Sequence, residues 1–221
     1  MTRVFWIGRI VRAPRAPDGF AFRVRVPGGP RPGEEAKPVV GEVHLCRADE
    51  PVRPFLAQNA WIDLKGIVEL RRWQPEGDPG YQQVWFVRSR EIIPIAPPLL
   101  GVGRNFASLA GRLASDVRPC SGGCEFELRV NFISHGQRRP MWIPTTIYGE
   151  IAEKAKRQLI KGRAVTVEGA LHFGYGAISH QPKLTLRGTD FWPGSAYYDN
   201  LDEAVEPERC NGDEGGGLAP Y

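Results

Sequence analysis

The stretch VFWIGRI at residues 4–10 is echoed by ASLAGRL at residues 107–113, 103 positions further along the chain. The stretch IDLKG at residues 62–66 is echoed at the same offset by VTVEG at residues 165–169. Two matches that share one offset and lie far apart indicate that the chain contains two copies of one fold. A third pair, FRVRV at residues 22–26 and FELRV at residues 126–130, matches at an offset of 104, one residue more than the other two.

Each copy has the alternation of apolar and polar residues that is typical of half-buried strands. In the second copy Phe126, Leu128, Val130 and Phe132 alternate with polar residues, so we expect Phe132 to pack in a core. One amphipathic helix is predicted, from Glu150 to about residue 159. Three strands, a helix and two further strands form the element order of a five-stranded OB barrel.

The sequence therefore predicts an all-β chain of two tandem five-stranded OB-fold barrels, each with a short helix. We place the first, divergent barrel at residues 1–96, a Pro- and Gly-containing linker at 97–103 and the second barrel at 104–193. Prolines in the first copy predict that its helix is short or irregular. Residues 194–221 are expected to form a disordered acidic tail.

The charge is distributed unevenly along the chain. Residues 197–221 contain seven acidic residues and one arginine, a net charge of −6, and the whole chain has +4, which leaves +10 for residues 1–196. A basic body with an acidic tail indicates a polyanionic ligand.

The sequence contains no pattern that predicts chemistry. Cys120 and Cys124 are not followed by a second Cys or His pair with ligand spacing, so we expect no metal. The four histidines form no ligand motif, and neither a nucleophile signature nor a phosphate-binding loop is present. We therefore predict no enzymatic activity and no cofactor. No apolar stretch is long enough to span a membrane, which predicts a cytosolic protein.

Three stretches of the second copy resemble the bacterial single-stranded DNA-binding protein (SSB) family: NFASLAGRL at 105–113, WIPTTIYGEIAE at 142–153 and LIKGRAVTVEGAL at 159–171. The resemblance covers residues 104–193. Residues 3–96 are linked to the family only by their similarity to the second copy. It implies OB folds, sequence-independent binding of single-stranded DNA in replication, recombination and repair, and a nucleoid-associated location. The family functions as four OB domains, so two copies per chain imply a homodimer.

Single-strand binding requires aromatic faces for stacking and cations for phosphates. Trp142 and Tyr148 share the face opposite Ile143 and Ile147, and both match family positions that carry stacking aromatics. The alternative is that they pack against a loop or the other barrel. Further candidates lie in predicted loops. They are Phe173 and Tyr175 after the fourth strand of the second copy, and Arg71, Arg72 and Trp73 in the first copy.

Arginines on the non-core face complete the predicted DNA-binding surface. They are Arg23, Arg25 and Arg129 on central strands, with Arg138 and Arg139 in a predicted loop before Trp142. A single arginine is more often a solvated surface charge, so the prediction depends on the group. By the offset of 103, Trp142 and Tyr148 correspond to Val39 and Leu45, so we expect the second copy to bind more strongly than the first.

The chain ends LAPY, similar to the family's tail tip, which implies that Pro220 and Tyr221 recruit replication and repair proteins. The alternative for the tail is a solubilising role. For the barrels, the alternatives are binding of single-stranded RNA, an accessory role in a primosome or conjugation complex, and a protein-interaction module without nucleic-acid binding.

Overall fold

The structure is a computed structural model that describes residues 2–14, 20–29, 37–73, 82–100, 102–134, 137–175 and 182–194. The acidic tail, with Pro220 and Tyr221, lies outside the described residues. No helix among the described residues is long and apolar enough to cross a membrane.

The described part of the chain is predominantly β. The strands are β1 (Thr2–Arg12), β2 (Ala21–Val26), β3 (Val39–His44), β4 (Trp61–Trp73), β5 (Gln82–Ile95), β6 (Arg104–Leu113), β7 (Arg118–Cys120), β8 (Gly123–Ser134), β9 (Gln137–Tyr148), β10 (Ala164–Tyr175) and β11 (Pro182–Pro193). An α-helix, α1 (Glu150–Gln158), follows β9, and a 3-10 helix (Arg47–Phe55) follows β3.

The strand pairing confirms two barrels of one topology. In the first, the order β2-β3-β5-β4-β1 is closed by pairing of β1 with β2, and in the second the order β6-β10-β11-β9-β8 is closed by pairing of β6 with β8. The second barrel carries one strand that the sequence did not predict, the short β7, which forms a hairpin with β8. The first barrel's helix is the 3-10 segment, which contains Pro51 and Pro54, as expected.

The glycines that anchor the sequence repeat have a structural reason. A Cβ on Gly8 would lie 2.6 Å from the carbonyl oxygen of Arg25, and a Cβ on Gly111 would lie 2.3 Å from that of Arg129. Each barrel closes at this crossing of its first two long strands, and only glycine lets the two backbones approach so closely.

A one-residue bulge recurs at the same place in both barrels. In β5 the residue Arg90 is inserted opposite the step from Lys65 to Gly66, and in β11 Thr189 is inserted opposite the step from Glu168 to Gly169. Each bulge reverses the face to which the following residues of its strand point.

The two barrels share one continuous sheet through β1 and β6, which pair antiparallel from Thr2–Leu109 to Ile7–Arg104. Val4 lies opposite Ala107, its own equivalent at the offset of 103. A local twofold axis therefore passes between these residues and relates β1 to β6.

Asn105 fastens this junction with its side-chain amide. Its Oδ1 accepts hydrogen bonds from the Trp6 indole (3.1 Å) and the Leu171 backbone N–H (3.1 Å). Its Nδ2 donates to the carbonyls of Leu171 (2.8 Å) and Pro27 (2.9 Å). One side chain thus links β1, β10 and the segment after β2.

The pairing also corrects the alignment of the two copies. Arg25 lies opposite Val40 across β2 and β3, and Arg129 lies opposite Trp142 across β8 and β9. The equivalent of Trp142 is therefore Val40, and the same register places Cys46 at the position of Tyr148. The expected equivalents, Val39 and Leu45, were wrong by one residue, because the segments joining these strand pairs differ in length.

Candidate nucleic-acid interface

A groove of about 460 Å³ crosses the outer face of the second barrel. We call it the indole groove. Its walls come from β6, β8, β10 and the end of β11. The lining residues that carry its charge and its aromatic surface are Arg112, Arg129, Asn131 and Trp192, and the described lining includes no carboxylate.

The two arginines are held at the barrel's closure. Arg112 of β6 lies opposite Arg129 of β8, so two guanidinium groups belong to neighbouring positions on one face. Arg112 donates a hydrogen bond to the carbonyl of Gly162 (3.2 Å), which anchors it at the rim. Arg129 is exposed, and no carboxylate of the described residues pairs with it. The arrangement concentrates positive charge that a phosphate could neutralise.

An exposed indole lies at each end of this basic row. Trp142 lies directly opposite Arg129 in the β8–β9 pairing and is 47 % exposed, whereas Ile143 and Ile147 are fully buried as expected. At the other end, Trp192 of β11 is 48 % exposed and lies opposite Thr166 of β10. An exposed indole next to a guanidinium is a combination that can stack on an unpaired base and contact its phosphate.

Trp192 was missed by the sequence analysis. In β11, Leu184, Leu186 and Gly188 are buried, and continued alternation would bury Trp192 as well. The bulge at Thr189 shifts the parity, so that Phe191 is buried and Trp192 faces the solvent. Strict period-two alternation gives no signal for this residue.

The first barrel keeps the arginines of this site but lacks its rings. Arg9 and Arg25 are opposite one another, as Arg112 and Arg129 are. Val40 (40 % exposed) stands where Trp142 does, and Ile93 (46 % exposed), which follows the bulge in β5, stands where Trp192 does. At these equivalent positions the second copy combines exposed rings with the arginines, whereas the first copy has the arginines without the rings.

Tyr148 is separated from the groove. It lies six residues beyond Trp142 on the same half-exposed face of β9, about 20 Å along the strand. Glu125 and Glu127 of β8 lie opposite Thr146 and Pro144 in the interval, and both acids are exposed. Acidic side chains oppose a phosphate backbone, so Tyr148 and Trp142 do not form one uninterrupted basic surface.

The remaining arginine candidates are dispersed. Arg23 is exposed on β2 but lies opposite Glu42, with a 3.9 Å contact between them. Arg71 is exposed near the end of β4. The expectation of a loop before Trp142 was wrong, because Arg138 and Arg139 belong to β9, where the β8–β9 hairpin extends further than predicted. Arg139 is exposed, and the side chain of Arg138 lies outside the described residues.

The predicted aromatic loops are strands for most of their length. Arg72 and Trp73 are the last residues of β4, and Tyr175 is the last residue of β10. Their side chains lie outside the described residues, as does that of Phe132. Phe173 lies within β10, and its ring packs edge-on against Trp6 with centroids 5.7 Å apart. Its ring therefore joins the two barrels instead of extending from a free loop.

The described residues contain no group of three or more His, Cys, Asp or Glu side chains placed to bind a metal ion. Cys124 is buried, and this burial raises the pKa of its thiol to about 11. The thiol is thus protonated at neutral pH and suited to packing rather than to ligation.

The fold resembles solved structures of the single-stranded DNA-binding protein from Thermus aquaticus. A deletion variant of that protein matches with a TM-score of 0.64 at 22 % identity, over 94 % of this chain and 98 % of that chain. The wild-type protein matches with a TM-score of 0.64 at 22 % identity, over 88 % and 93 % of the two chains. No family model and no curated protein matches the sequence. The likeness confirms the tandem OB architecture.

Proposed function

We propose that this chain binds single-stranded DNA without sequence preference, chiefly through the indole groove. The observation that carries the proposal is the row formed by Trp142, Arg129 and Arg112, with Trp192 at the far side of the groove. Two exposed indoles can stack on bases while the guanidinium groups between them bind phosphates.

This arrangement favours single strands over duplexes. Stacking requires unpaired bases whose faces are accessible, which a duplex does not offer. It also favours tolerance of sequence, because an indole stacks on the face of any base and a guanidinium binds any phosphate. The role is therefore the coating and protection of exposed strands in replication, recombination and repair.

Competition binding tests the ligand. A fluorescent oligo-dT is bound by the protein and displaced by unlabelled oligo-dT, oligo-rU, mixed-sequence single strands or duplex of equal length. We expect single-stranded DNA of either composition to compete well and duplex to compete poorly. Stronger competition by oligo-rU would indicate an RNA-binding protein instead. Absence of any complex at low salt would favour a protein-interaction module.

The acidic tail supplies a second activity in this proposal, the recruitment of replication and repair proteins through Pro220 and Tyr221. Its support is the LAPY ending after an acidic segment. Deletion of residues 218–221 should abolish the capture of such enzymes on DNA-coated beads and leave DNA affinity intact. Equal capture by the full and shortened chains would leave only a solubilising role for the tail.

We propose further that two chains associate, which gives four barrels per assembly. The support is the resemblance to a family of four OB domains and the presence of two barrels in this chain. Sedimentation equilibrium should yield twice the chain mass of 24.6 kDa. A monomer at all concentrations would refute the dimer without affecting DNA binding.

A further inference from the structure

A cleft of about 500 Å³ separates the outer face of the first barrel from the β10–β11 hairpin of the second. We call it the inter-barrel cleft. The first barrel contributes residues from β2, β3 and β5 together with the segment before β3, and the second contributes residues from β10 and β11. It is distinct from the indole groove, with which it shares no lining residue.

The charge of the cleft is predominantly positive. Its lining contains Arg23, Lys37, Lys183 and Arg187, against one carboxylate, Glu42. Lys37 and Lys183 are exposed and come from different barrels, so each barrel contributes a lysine to the lining. The hydrogen bond with His44 (2.8 Å) lowers the pKa of Glu42, which remains ionised. The lining therefore has a net charge of +3 while His172 is neutral.

The barrels are fixed on either side of the cleft. The Nε2 of His172 accepts a hydrogen bond from the Gly29 backbone N–H (2.9 Å), and Arg187 donates to the Gly29 carbonyl (3.2 Å). Phe173 packs against Trp6 at the base of the same junction. These contacts hold the two walls of the cleft and the Arg187 guanidinium in place before a ligand arrives, which reduces the entropic cost of binding.

The cleft suits phosphates better than bases. Its described rings are committed to packing, since Trp85 is buried and Phe173 lies against Trp6. Val40, which lines the cleft, occupies the position that Trp142 holds in the second barrel. The first barrel therefore presents cations without a stacking partner at this place.

We infer that the inter-barrel cleft binds the phosphodiester backbone of the same strand whose bases stack in the indole groove. This inference rests on the proposed function. The second barrel then binds the strand by stacking on its bases. The cations of the cleft bind the phosphates of the same strand where it continues over the first barrel. The ligand is a polyanionic chain long enough to reach both places.

The test compares two oligo-dT lengths with a double variant, Lys37→Ala with Lys183→Ala. The matched control is Arg157→Ala with Lys161→Ala, an equal charge change on exposed positions at the end of α1 and the turn after it. The shorter oligonucleotide has about 8 nucleotides, within the span of one OB domain, and the longer has about 30.

For the cleft variant we expect unchanged affinity for the short oligonucleotide and roughly tenfold weaker binding of the long one. Its slope of log affinity against log salt for the long oligonucleotide should be smaller by about 1.4, since two phosphate contacts are lost. The control should resemble the wild type in both respects. Equal long-oligonucleotide affinity and salt slope in the cleft variant and the control would overturn the inference.

Glu42→Gln provides a test in the opposite direction. It removes the only described carboxylate of the lining while keeping a side chain that can hydrogen-bond with His44. Long-oligonucleotide affinity should rise and short-oligonucleotide affinity should stay the same. A fall or no change counts against the inference. If the wild type binds neither length, the proposed function fails. If binding still depends on Trp142 but the cleft substitutions do not change the affinity, only the inference about the cleft is refuted.

Tripolyphosphate separates a strand-binding cleft from a site for small anions. If the cleft binds a strand, tripolyphosphate should compete with the long oligonucleotide only weakly, and no better than a simple salt at the same ionic strength. Tight binding of tripolyphosphate that is lost in the cleft variant, together with normal binding of the long oligonucleotide, would reassign the cleft to a free anion.

Discussion

Arg129 and Trp142 lie opposite one another across β8 and β9, and their equivalents in the first barrel, Arg25 and Val40, are paired in the same way. The fold thus repeats the position of the cation and changes the residue beside it. An indole next to a guanidinium can hold a nucleotide by its base and its phosphate, whereas valine leaves only the phosphate contact. In the proposed function, this difference divides the contacts with the strand between the two barrels.

The pair of equivalent positions gives a matched comparison. Trp142→Ala should weaken oligo-dT binding roughly 5- to 150-fold, the effect of losing one base stack. Val40→Ala removes an exposed side chain of the same register and should leave the affinity unchanged. Fluorescence anisotropy with a short labelled oligonucleotide measures both. Equal losses in the two variants would contradict the asymmetry, as would a loss in Trp73→Ala comparable to that in Trp142→Ala with Tyr148→Ala.

Trp192 should contribute a second stack. Trp192→Ala is expected to weaken binding by a factor similar to that of Trp142→Ala, and Trp192→Phe should restore part of it because a ring remains. Ile93→Ala is the control at the equivalent position of the first barrel. Isothermal titration with oligo-dT reports the affinities. If Trp192→Ala and Ile93→Ala behave alike, the groove does not use its β11 end.

Asn105 should matter for stability more than for affinity. Asn105→Ala leaves the Trp6 indole and the Leu171 backbone groups without their partner and should lower the free energy of unfolding by about 2 kcal/mol. Asn105→Asp should cost more, because it turns an oxygen towards the carbonyls of Pro27 and Leu171. Urea denaturation followed by circular dichroism measures this. Asn131→Ala, at an exposed asparagine, is the control, and similar midpoints for all variants would contradict the assignment.

Acid should weaken the junction through His172. Burial, and secondarily the nearby Arg187, lower the pKa of His172 from 6.5 to about 4. As the pH falls from 6.5 towards 4, His172 binds a proton in the unfolded chain but not in the folded chain. The free energy of unfolding therefore decreases over that interval. His172→Gln should remove this part of the pH dependence of the urea midpoint. A parallel pH dependence in the variant would show that His172 does not titrate with folding.

The repeat and the strand alternation were sufficient to predict the fold. Glycines such as Gly8 and Gly111 recur because the close strand crossing tolerates no side chain, which makes the duplication visible in the sequence. Alternation likewise placed Ile143 and Ile147 in the core and Trp142 outside, as the structure confirms. Both features can be recognised in a single sequence without knowing which strands pair.

The parts of the site that depend on irregularity or on contact between barrels could not be predicted. Trp192 is turned outwards by a bulge that period-two counting does not register. Phe173 is followed by a glycine, which is typical of a loop, yet it is buried partly by Trp6 of the other barrel. The inter-barrel cleft depends on pairing between β1 and β6, and no local pattern specifies which strand edges meet.

Quenching of tryptophan fluorescence by oligo-dT over a salt series tests the central claim most directly. Trp142 and Trp192 are the exposed indoles of the indole groove and its border, so stacking should give strong, saturable quenching. Phosphate contacts by Arg129 and its neighbours should make the affinity fall as salt rises, with a slope of about 0.7 per phosphate bound. Unchanged indole emission and no complex at low salt would contradict the account.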